Sequence, residues 1–290
     1  MSDVMPSASL HWRALGLVGL AALSFAGCSS ASSSAKPSSP ASSYSAPSTH
    51  PSEEEQAAAQ DATMSFRSFL TNTAVTVAND LSSADQAASA HQQGAAQLDA
   101  SAALVAYEEV RGQEGLVSSG SDQAVQTDPN DQISARSLVN LDEELGGSPN
   151  GAALAATLDQ QGPIFELLLA HRSLLPQDIA LDAQRQLGWV ALSAPLALSS
   201  DPPAGQSLAE VSSAAQAAQV ALNDVRALGM LVDPSTTTTA LDRMAALDQA
   251  LSSPAPSTRQ IVSDANATIS STGVLAGSLS GYGVLVQGYQ

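Results

Sequence analysis

The chain has 290 residues and a net charge of −18, so it repels phosphate backbones, which argues against nucleic acid as a partner. Aromatic residues are only 3% of it, and Ala and Leu dominate its apolar content. A β-sandwich would need far more β-branched and ring side chains, so the composition predicts an all-α fold of closely packed helices.

The first element is an export signal over residues 1–27. His11-Trp12-Arg13 precedes an apolar run from Ala14 to Phe25. That run is shorter than the roughly 20 residues a membrane-spanning helix needs, and it suits the core of a secretory signal. It ends Ser24-Phe25-Ala26-Gly27-Cys28-Ser29, with small residues at the two positions before the cysteine. This has the form of a lipobox, although Phe25 stands where Leu is usual and the amino end carries one Arg opposed by Asp3. Cys28 is therefore expected to bear lipid as the first mature residue. It is the only cysteine, so no internal disulfide can form, and an exported chain with one free thiol is otherwise hard to explain. Several acyl chains give stable anchoring where one is marginal. The expected location is the extracytoplasmic face of the cell membrane.

Residues 28–52 read as the lipidated cysteine and a tether. From Ser29 to Ser52 there are twelve Ser and four Pro, too little apolar surface to offset the entropy of ordering. Sugar attachment to this stretch is left open.

Residues 53–290 read as a helical body. Phe66, Phe69, Leu70, Val77 and Leu81 recur at helical steps, with Glu53, Glu54 and Glu55 at the end the helix dipole favours. Ala95, Leu98, Ala102, Val105 and Glu109 predict a second face, stopped at Gly112. A loop from Gly115 to Asp131 follows. A short helix is predicted from Ile133 to Leu145, and another from Gly151 to Leu174 with a kink at Pro163. The fifth carries Ile179, Ala183, Leu187 and Val190 and is limited by Pro195. The sixth runs from Leu208 through Leu228 to Asp233-Pro234. Leu241, Met244, Leu247 and Leu251 mark a seventh, and Ile261 to Leu279 an eighth. Helices joined by short turns suggest bundle packing.

Catalytic signals are sparse. The four His are His11, His50, His91 and His171, and they form no HExxH, no ExxH and no helical pair. Gly277-Ser278-Leu279-Ser280-Gly281 has Leu where a nucleophile would stand. The expectation is that the protein is not an enzyme. Carboxylates do cluster: Glu108 and Glu109, then Asp122, Asp128 and Asp131, then Asp142, Glu143 and Glu144. Oxygen ligands of this kind suit hard cations such as Fe³⁺ or Ca²⁺, although a solvated acidic face has the same composition.

The order of motifs resembles the imelysin-like domain of EfeO-type iron-uptake lipoproteins. Phe66-Arg67-Ser68-Phe69 is similar to the opening of that family's first helix, and Ala106-Tyr107-Glu108 to a Tyr-Glu pair ending the second. Asp122-Gln123-Ala124-Val125 is similar to its Asp-rich loop. Leu175-Pro176-Gln177-Asp178-Ile179 is similar to the start of its central helix. Asp224-Val225-Arg226-Ala227-Leu228, then 241–251, follow in the same order. The resemblance implies two four-helix bundles and a cation held by Glu108, Asp122 and Asp142. It also implies work with a membrane permease. The family's His, followed three residues on by Glu, falls here on Val139 and Asp142, and a second His has no counterpart near 205–209. No cupredoxin domain is present. Two functions are therefore expected: an extracytoplasmic binding component related to iron or metal uptake, or a helical interaction or structural lipoprotein that has lost the metal. A peptidase reading finds no nucleophile or metal-bound water to support it.

Overall fold

The computed structural model describes residues 51–113, 133–148, 150–203 and 206–282, all within one compact unit, Ser48–Gln290. The expectations for the export signal, Cys28, most of the tether and Asp122 fall outside the described residues. Within them the protein is all-helical: nine α-helices, two short 3-10 turns and no strand. The helices are α1 (Glu53–Ser89), α2 (Gln93–Glu108), α3 (Ala135–Leu145), α4 (Gly151–Ala170) and α5 (Pro176–Ala197). α6 (Leu208–Asp224), α7 (Arg226–Val232), α8 (Pro234–Leu251) and α9 (Thr258–Ser278) complete the set. No described helix is long and apolar enough to cross a membrane.

Local chemistry sets several helix starts. Ser52 accepts from the Glu55 amide while the Glu55 carboxylate accepts from the Ser52 amide, a reciprocal cap that starts α1 at Glu53. Ser207 and Glu210 repeat the device on α6. Ser134 caps α3, and Asp233 caps α8 ahead of Pro234. α1 stops without glycine. His91 takes φ 59°, the Gln92 amide donates to Ala87 O at 2.8 Å and the His91 amide to Ala88 O at 3.0 Å. This is a Schellman closure with His in the left-handed position.

Packing sorts the helices into two rings of four. α1 lies against α2 and α4, and α3 closes the ring between them. α5 lies against α6 and α9, and α8 closes the second ring. α1 and α2 reach α6, and α1 reaches α5 and α7, so the rings share a seam. The core is built largely from Ala and Leu, with Phe66, Leu70, Leu81, Leu138, Leu141, Leu158, Ile179 and Leu187 among its largest side chains. Tyr107 stacks on Phe165 at 5.9 Å and ties α2 to α4. Gly162 lets α4 come close to α1, since a Cβ there would sit 3.0 Å from that of Ala78.

Several boundaries and one face differ from the sequence expectation. α2 buries Ala96, Ala100, Ala103, Leu104 and Tyr107, while Leu98 is 74% exposed. Alanine on nearly every side leaves the α2 pattern without a dominant stripe, so its neighbours chose the face. α4 runs through Pro163 and ends at Ala170 rather than Leu174. α5 passes Pro195, which sits exposed in the last turn where few intrahelical bonds are lost. The long sixth helix divides at Val225 into α6 and α7, and Asp224 there accepts from Ser65 of α1 at 2.7 Å.

Candidate functional site

The densest polar chemistry lies on the seam, where α2 ends in a 3-10 turn, Arg111–Gln113, against α5. Glu108 is fully buried and pairs with Arg111 at 2.8 Å. A carboxylate at a helix C-terminus faces the negative end of the dipole, and the guanidinium offsets this. The same guanidinium stands 4.7 Å from the centroid of Trp189 on α5, a cation–π contact. Glu109 is half-buried. Thr73 of α1 donates to it at 3.1 Å and Ser213 of α6 at 3.4 Å, and burial raises its pKa against those bonds.

Beyond the turn lies a buried carboxyl on α5. Asp182 is 1% exposed and accepts from Gln113 Nε2. Burial pushes its pKa up to about 7, while Arg185, Arg172 and Gln113 pull it down. Gln186, one turn on, donates to Glu109 O at 3.0 Å. Gly112 is required at this point, because a Cβ on it would overlap the Asp182 carboxyl.

The sequence expectation named Glu108 but not Gln113, Asp182 or Gln186. A signal for two of them was present. Ile179, Ala183, Leu187 and Val190 define a buried stripe, and Asp182 and Gln186 fall on it one turn apart. A charged and an amide side chain on an apolar face mark a buried polar centre.

Asp142 lies elsewhere. It is on α3, half-buried, and Ser101 of α2 donates to it at 2.8 Å. Ser101 and Glu108 are seven residues apart on α2, about 10 Å along the axis. Ligands of one cation converge within about 5 Å of each other, since each bond is about 2.3–2.6 Å. Glu108 and Asp142 are therefore not brought together, and Asp122 is outside the described residues. Among the described residues no three His, Cys, Asp or Glu side chains are grouped to hold a metal ion. His171 is exposed at the end of α4.

No protein-family model matches the chain, and no curated protein matches it in sequence. The class defined by the fold is a helical-bundle domain with a buried polar seam.

Proposed function

We propose that the chain is an extracytoplasmic lipoprotein, anchored through Cys28 and lifted off the membrane by residues 29–52, whose helical domain acts by binding a partner rather than by catalysis. The observation that carries the choice of interaction over metal carriage is the state of Glu108. The carboxylate most suited to a cation is already held by the Arg111 guanidinium, itself stacked on Trp189. A cation entering there would have to displace a fixed positive charge. Asp142 is likewise engaged by Ser101, well away from Glu108.

The related reading, an iron-uptake binding component working with a permease, rests on the imelysin-like resemblance. Support for it comes from the two rings of four helices and the acidic charge of −18.

Melting of the purified protein with Fe³⁺, Ca²⁺ or Zn²⁺ separates the two, because a ligand of the native state alone raises the melting temperature. The interaction reading expects no rise with any of the three. A rise that disappears in Glu108→Ala would return the function to metal uptake. The anchor is tested by Cys28→Ser, which is expected to leave the membrane fraction. If that variant stays with the membrane, the lipoprotein reading fails.

A further inference from the structure

The contact between the Arg111–Gln113 turn and α5 carries more charge than a structural joint needs. Asp182 Oδ1 accepts from Gln113, but Oδ2, equally buried, has no donor. Two guanidinium groups act on this carboxyl: Arg185, on the next turn of α5, and Arg172, in the loop before it. Each directs a hydrogen bond past it to the turn. Arg185 Nη1 donates to Gly112 O at 3.4 Å and Arg172 Nη1 to Gln113 O at 3.5 Å. Both are long for N–H···O bonds, so a stronger acceptor nearby would compete for them.

Among the described residues few other charges bear on this carboxyl. α6 and α9, on the other flanks of α5, contribute no charged group that acts on Asp182, and Asp178 acts on Arg172 instead. From α1, Arg67 donates to Arg172 O at 3.3 Å, which holds that loop in place. From α2, Glu109 is bonded by Thr73 and Ser213.

We propose that Asp182 is a proton-operated latch. Protonated, it lets both arginines hold the Arg111–Gln113 turn against α5; ionised, its donorless oxygen draws them off the Gly112 and Gln113 carbonyls and leaves the turn tied to α5 through Gln113 Nε2 alone. The shift of this carboxyl from its ordinary 3.8 to about 7 places the change near neutrality. Arg111 belongs to the turn and rests on Trp189, so loosening the turn backbone shifts the guanidinium over the indole.

The chain has two tryptophans, Trp12 and Trp189, so the full-length Trp12→Phe protein reports on Trp189 alone. Its emission is expected to show a one-proton transition centred near pH 7. In Asp182→Asn the transition should vanish, with emission fixed at the acidic value. In Arg185→Gln, which removes an exposed guanidinium acting on the carboxyl, the midpoint should rise. His171→Gln should leave it in place, which separates Asp182 from the exposed histidine at the end of α4. The latch is overturned by flat emission across about pH 5 to 9 in the parent, a range that spans the titration of interest. It is equally overturned by an unchanged midpoint in Asp182→Asn or Arg185→Gln, or by loss of the transition in His171→Gln. Should Asp182→Asn fail to fold, Arg185→Gln and His171→Gln decide the matter.

Discussion

Two acidic regions of the domain use the same residue types to opposite ends. At the seam, Glu108 and Asp182 are at most 1% exposed, and Glu109 is half-buried between α1, α2 and α6. Each is tied to a named donor or cation. On α3, Glu143 is exposed, and with Asn140, Glu144, Asn150 and Thr157 it lines an open groove against α4. Counting carboxylates does not distinguish these regions. Desolvation does, since a buried charge must find a partner or take up a proton, and a solvated one needs neither.

That contrast can be broken in graded steps. The largest loss is expected from Arg111→Ala, which leaves Glu108 buried without its cation. Denaturant unfolding should show about 3–5 kcal/mol of destabilisation. Asp182→Asn should act in the opposite direction and only above acidic pH. The folded-state pKa is raised, so the native protein binds this proton more tightly than the unfolded chain does. Its contribution is intact below the ordinary 3.8, declines as pH rises, and is fully lost above about 7. Asp182→Asn should therefore be the more stable protein at alkaline pH, by at most about 4 kcal/mol, with the gap closing toward pH 4. Parallel unfolding curves at both pH values would contradict this.

Smaller effects belong to the outer region. Ser101→Ala removes one donor from half-buried Asp142 and should cost about 1 kcal/mol. Glu143→Gln, exposed on the groove, should change stability by less than about 0.5 kcal/mol. If Glu143→Gln proved as costly as Arg111→Ala, the distinction between seam and groove would collapse.

The sequence was most legible where one helix buries one dominant stripe. Phe66, Leu70, Val77 and Leu81 on α1, and Ile179, Ala183, Leu187 and Val190 on α5, are buried as their spacing predicts. It was least legible on α2, where small apolar residues surround the helix and the outward face was chosen. The break at Val225 was also hidden, because the apolar period continues through it and only the approach of α1 at Ser65 marks the place. Of the seam, Glu108 was named through the resemblance of Ala106-Tyr107-Glu108 to a family motif, as a cation ligand. Asp182 and Gln186 lay in plain register on an apolar face and were passed over.

Composition and period alone determined the helical class and most of the helix positions, because these depend on residues within four positions of each other. Which carboxylates are buried was decided only by tertiary structure. Asp182 is 182 residues into the chain and Gln113 precedes it by more than a helix pair, yet they share one hydrogen bond. Burial is a property of the neighbours a side chain meets, and no local pattern records the partner that arrives from another helix.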